Sequence, residues 1–172
     1  MVFYSAKLAD RIKGIILSPL QTWRIMKKES GYALETLLFL FAGCLFAGLS
    51  SIAKNAEWVS EIFIPFLSCM IASVLMRFFK LIRKINWESN FNMLVYSFFP
   101  LVWCYSLSML FDHRHYLLPF GLAYSVVLLF LSVKAMIDVS ILRCLSLTLK
   151  ILLLLFACIY AFTAIIGRGT RL

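Results

Sequence analysis

LSLTLKILLLLFACIYAFTAII, residues 145–166, decides what kind of molecule this is. These twenty-two residues carry a single charge, Lys150, near their start. A helix needs roughly 20 mostly apolar residues to cross about 30 Å of hydrocarbon. Lys150 can lay its stem along such a helix and hold its ammonium among the headgroups. Working back along the chain, four more apolar stretches come into view: Leu117–Val133, Phe91–Phe111, Ser60–Phe79 and Ala33–Ala53. The stretch Leu117–Val133 is short, and crosses if its ends snorkel. The pattern predicts an all-α polytopic membrane helix bundle with five transmembrane helices. Residues 1–32 form amphipathic interfacial helices, residues 33–167 the five-helix domain, and residues 168–172 a short C-terminal tail.

Composition supports this reading. Of 172 residues, 63% are hydrophobic and 15% charged, against about half and about a quarter in a soluble domain. A soluble protein of this sequence would need five helices that are hydrophobic all round. The net charge of +9 raises the question of nucleic acid, but the placement of the charges answers it differently. Lys7, Arg11, Lys13, Arg24, Lys27 and Lys28 precede the first stretch. Arg77, Lys80, Arg83 and Lys84 follow the second, and Lys134, Arg143 and Lys150 surround the fourth-to-fifth connection. The other side holds Lys54, Arg114, Arg168 and Arg171. This asymmetry puts the N-terminus in the cytoplasm and the C-terminus outside. Arg168 and Arg171 run against the trend. Residues 1–32 are too charged for a cleavable signal peptide, so the first span is expected to act as an uncleaved insertion signal.

The first 30 residues read as two short helices on the membrane. Leu8, Ile12, Ile15 and Ile16 share one face of the first, and Lys7, Asp10, Arg11 and Lys13 the other. A helix of this kind settles into the headgroup layer and gains from anionic lipid. Ser18 then suits a cap, Pro19 a first helical position and Gln21 a capping box. In the second helix Leu20, Trp23 and Met26 oppose Arg24, Lys27 and Lys28. Docking to a protein partner is the alternative role for the pair. The connection FFKLIRKINWESNF, residues 78–91, alternates apolar and basic residues and is a second candidate for headgroup contact, through Lys80, Arg83 and Lys84.

Inside the spans, Gly43, Ala47 and Ser51 recur every fourth residue and would let a neighbour approach closely. The third span is the most polar. It has Asn90 and Asn92 at its start, then Tyr96 and Ser97, and Pro100 near its middle. A proline there breaks the backbone ladder, and hydroxyl groups can repair it. Lys134 and Asp138, four apart, share a helix face where they can pair. Asn92, Tyr96, Pro100, Lys134 and Asp138 are therefore the candidate functional residues within the membrane. The run Asp112-His113-Arg114-His115 reads as a polar turn. Cys44, Cys69, Cys104, Cys144 and Cys158 lie in apolar surroundings with no C-x-x-C pair, and read as buried thiols. No catalytic residue, cofactor, metal or nucleic-acid partner is expected.

The stretch Ile15–Met26, IILSPLQTWRIM, together with FNMLVYSFFP in the third span and Ser132-Val133-Lys134-Ala135 closing the fourth, resembles the bacterial branch of the Yip (Ypt-interacting protein) family of five-span proteins. The resemblance runs from about Ile15 to Ile166. Its motifs are Pro19 with Trp23 four residues on, and Tyr96 with Pro100, in that order along five N-in, C-out spans. It implies an integral protein of the bacterial inner membrane, and the absence of a catalytic constellation makes the expectation a non-enzymatic one. Eukaryotic members contact prenylated small GTPases. This chain lacks their acidic-Leu-Tyr-Gly-Pro motif, so that contact is not implied. The expected function is to organise a membrane complex or anionic lipid through the basic cytoplasmic face, with a protein partner or a second copy of the chain. An oligomeric transporter or channel is the alternative.

Overall fold

A computed structural model of the chain describes residues 2–28, 33–52, 67–76, 87–111 and 114–169. Among these residues there are seven helices and no strand. They are α1 (Val2–Leu17), α2 (Pro19–Lys28), α3 (Ala33–Ile52), α4 (Leu67–Met76), α5 (Trp87–Phe111), α6 (Arg114–Ile137) and α7 (Ile141–Gly169). Lys80, Arg83 and Lys84 lie outside the described residues, as do half of the second predicted span and Asp112-His113.

Three helices are long and apolar enough to cross a membrane, over Glu88–Ser108, Tyr116–Ile137 and Ile141–Ile165. Shorter apolar helical stretches occupy Leu34–Phe46 in α3 and Leu67–Met76 in α4. The fourth apolar stretch is longer than its composition suggests, because Lys134 does not end the helix. Its ammonium donates to the carbonyl of Val139, just beyond the last turn, where a cation also meets the negative end of the helix dipole. Asp138 then reverses the chain in the left-handed region, at φ 52°.

Helix α5 is the axis of the molecule. Every residue from Asn90 to Phe98 is buried, between α3 on one side and α6 on the other. Helices α3 and α5 run parallel. Phe39 stacks on Tyr96 at 5.5 Å and tilts against Phe99 at 5.0 Å, and further along Phe46 stacks on Trp103 at 5.3 Å. Gly43 faces Val102 and Trp103, so the first member of the small-residue stripe seats an internal neighbour. Helices α5 and α6 run antiparallel, with Ser97 opposite Ser132 and Cys104 against Gly121. A Cβ on Gly121 would lie 2.7 Å from the Cys104 Cβ and 3.1 Å from the Pro100 carbonyl oxygen. Only glycine permits this approach.

Helix α7 contacts α6, where the Cys144 thiol donates to the Phe130 carbonyl, and its buried residues Cys144, Thr148, Ile151, Leu155 and Cys158, at alternating four- and three-residue steps, trace one narrow seam. The remaining face, with Leu142, Leu145, Leu149, Leu153, Phe156 and Tyr160, is exposed. In water such a face would be a liability. Against lipid it is the ordinary state of a span.

Candidate functional site

The N-terminal hairpin builds the site. Helix α1 ends where the Ser18 N–H donates to the Gly14 carbonyl at 2.8 Å, and α2 begins where the Ser18 carbonyl accepts from the Thr22 N–H at 3.1 Å. Pro19, as expected, is the first residue of α2. Its ring fixes φ where a helix needs it, and it has no N–H to leave unpaired. The two helices close tightly, since a Cβ on Gly14 would sit 2.6 Å from the Thr22 hydroxyl.

The hairpin turns its apolar face inward. Ile15, Trp23 and Met26 are buried, Trp23 completely, and α2 lies along α6. Between lipid-embedded helices, apolar burial supplies little drive, and packing with hydrogen bonds does the work. Three polar or aromatic contacts hold the hairpin. Arg11 forms a 2.7 Å ion pair with Glu35 of α3, with side chains 9% and 11% exposed. The Tyr124 hydroxyl of α6 donates to the Ile16 carbonyl at 3.3 Å. Trp23 meets the Tyr96 ring edge-on at 6.4 Å.

These contacts assemble a buried polar centre from α1, α2, α3 and α5. The Tyr96 hydroxyl reaches into the space shared by Thr36, Arg11 and Glu35. Among the described residues, the Tyr96 hydroxyl, the Thr36 hydroxyl, the Trp23 Nε1 and one Glu35 oxygen have no hydrogen-bond partner. Asn92, one turn before Tyr96, is buried with its carbonyl oxygen unpartnered, and both side-chain heteroatoms of Asn90 are in the same condition. Buried polar atoms are nearly always paired. A concentration of unpaired donors and acceptors around one buried ion pair therefore marks this centre as the chemically distinctive part of the chain. It holds donors, acceptors and one charge of each sign. Among the described residues, no three His, Cys, Asp or Glu side chains come together as metal ligands would.

The predicted residues divide among separate places. Tyr96 and Asn92 belong to the polar centre. Pro100 stands one turn beyond, where its disruption is repaired by the neighbouring helix: the Leu101 N–H donates to the Ser125 hydroxyl of α6 at 3.2 Å. Lys134 and Asp138 lie at the end of α6 and do not pair, as Lys134 turns to the Val139 carbonyl and Asp138 is exposed. Lys27 is exposed on α2, and Lys28 closes that helix. Reading the sequence missed Arg11, Glu35 and Thr36. Arg11 was expected on a solvated face and is buried instead. One signal was available in Glu35, an ionisable residue just inside the first apolar stretch, where a charge demands a partner.

Compared with protein-family models, with curated proteins and with solved structures, the chain matches none.

Proposed function

We propose that this chain is a non-enzymatic integral protein of the bacterial inner membrane that organises anionic lipid, or a complex assembled on it, through its basic cytoplasmic face. On this reading α3 and α4 belong to two further spans, giving five, with the N-terminus cytoplasmic and the C-terminus outside, as in the bacterial Yip proteins it resembles. The observation that carries the proposal is the division of α2. Trp23 and Met26 are locked into the bundle while Arg24 and Lys27 remain exposed. Anchoring one face fixes the direction of the other, so the cations are held out from the bundle toward headgroups without loss of their hydration. Lys28, Lys80, Arg83 and Lys84 extend the same basic population in the sequence. The test is retention of phospholipid by the detergent-purified protein, measured by native mass spectrometry. Replacing Lys27, Lys28, Lys80, Arg83 and Lys84 by Gln should cut bound anionic lipid several-fold while neutral lipid is unchanged. Equal anionic retention would sink the proposal.

A second reading draws on the unpartnered atoms of Asn90, Asn92, Thr36 and Tyr96. A polar centre of this kind beside a proline-broken helix also suits a solute pathway in an oligomeric transporter. Proteoliposomes would then show solute flux that Tyr96→Phe and Asn92→Leu reduce. Absence of flux across ions, amino acids and sugars counts against it.

A further inference from the structure

We infer that the α1–α2 hairpin is a re-entrant element whose apolar tip, Ile16, Leu17 and Leu20, stands among the acyl chains near the middle of the bilayer. The inference rests on the proposed membrane residence of α5 to α7 and adds where the N-terminal helices go.

Depth comes from one hydrogen bond. The Tyr124 hydroxyl reaches the Ile16 carbonyl. Tyr124 lies about 13 residues before Ile137 on α6, roughly 20 Å along a helix rising 1.5 Å per residue. The whole span Tyr116–Ile137 measures roughly 33 Å on the same scale. Helical side chains lean toward their own N-terminus, which carries the hydroxyl still further from the Ile137 end. The tip of the hairpin therefore reaches the middle of the span and slightly beyond it. Its open end lies toward the Ile137 end, since Arg11 meets Glu35 near the start of α3 and Trp23 meets Tyr96 in the first half of α5, beside the Ser97–Ser132 contact.

Charge placement agrees independently. The ten residues from Gly14 to Trp23 carry no charge, whereas Lys7, Asp10, Arg11 and Lys13 precede them and Arg24, Lys27 and Lys28 follow. The charges nearest the turn at Ser18 are thus Lys13, five residues before it, and Arg24, six residues after it. At the tip, Leu17 is 71% exposed and Ile16 49%. Hydrocarbon tolerates a turn best where backbone groups are satisfied, and several groups of this turn are. Ser18 bonds to Gly14, Thr22 bonds to Ser18, Tyr124 covers the Ile16 carbonyl and Pro19 has no N–H. On the outer side of α1, Ala9, Ile12, Ile16 and Leu17 line an apolar groove with Lys13 at its edge. An acyl chain below an anionic headgroup matches both the lining and the charge.

The test uses Leu17→Cys and Lys27→Cys in the full chain, reconstituted in liposomes. The native cysteines, four of them buried, set the background. A membrane-impermeant maleimide supplied to both sides should label Lys27→Cys readily and Leu17→Cys at least about tenfold more slowly, with full labelling after denaturation in SDS. A fluorophore on Leu17→Cys should be quenched more by a spin label near the acyl-chain end than by one near the headgroup. Comparable labelling at both positions, or stronger quenching from the headgroup, overturns the inference. Leu20→Cys gives the same reading if Leu17→Cys fails to accumulate. Alkaline carbonate extraction separates the two levels of failure. Protein that stays in the membrane with an accessible tip refutes the re-entrant hairpin alone, and protein that washes off refutes membrane residence as well.

Discussion

Among the described residues, Arg11 and Glu35 form the buried ion pair on which the packing of α1 against α3 turns. Both are about nine-tenths buried, so each neutralises a charge the other cannot leave in hydrocarbon. Removing one partner of a buried pair costs about 3–5 kcal/mol, while replacing both by apolar residues is often close to neutral. Arg11→Met should therefore lower the melting temperature in detergent markedly, and Arg11→Met with Glu35→Leu should recover much of the loss. A double variant no better than the single one would show that the pair is not coupled. Gly121 sets a second test at this scale. Gly121→Ala forces a methyl against the Cys104 Cβ and the Pro100 carbonyl, and overpacking of this kind costs about 1–3 kcal/mol. Gly43→Ala, whose Cβ would meet nothing closer than 3.5 Å, should leave the melt unchanged and serves as the control. Neither pairing was legible in the sequence. Arg11 and Glu35 are 24 residues apart, and helical periodicity assigns faces within a helix without saying what will pack on them. Gly121 carries no pattern of its own, because a close approach is a property of two helices.

Among elements, α5 and α6 show how a proline is accommodated in a buried helix. Pro100 cannot donate, its ring disturbs the preceding turn, and the Leu101 N–H finds its partner across the interface on Ser125. Ser125→Ala should leave that buried N–H unsatisfied at a cost of about 1–3 kcal/mol. Pro100→Ala should then relieve part of it, because Leu101 regains a bonding geometry within its own helix. A thermal-melt cycle over the two single variants and the double checks this, and strict additivity would deny the coupling. The sequence announced the break and the kind of group able to repair it, but not which of several serines would do so. It also located α3, α5, α6 and α7 to within a few residues, because apolar length is a one-dimensional signal. It understated α6, since a lysine bonded to the next turn's backbone looks, in sequence, like a helix end. The N-terminal helices were recognisable as amphipathic. Which surface would receive their apolar face was not, because a headgroup layer and a neighbouring helix ask for the same pattern.

For the molecule as a whole, the arrangement of charge and apolar length makes a prediction about sidedness. The five crossings proposed above would put the termini on opposite faces, so a fluorescent reporter that matures only in the cytoplasm should glow when fused to the N-terminus and stay dark at the C-terminus. Signal from both ends would require an even number of spans. Polarity and concealment are also matched across the three long spans. Helix α5, with two asparagines and four serines, has 56% of its span window buried, against 33% for α6 and 22% for the strongly apolar α7. Its polar side chains are acceptable only because α3 and α6 cover them. During synthesis, however, α5 emerges before α6 exists to cover it. Alone at the insertion machinery it is a poor candidate for release into lipid, and its commitment must wait for the strongly apolar segment that follows. The serine that mends the proline break arrives with that segment, which makes the two helices a single delivery in the making of the protein as well as a single packed unit in the finished one.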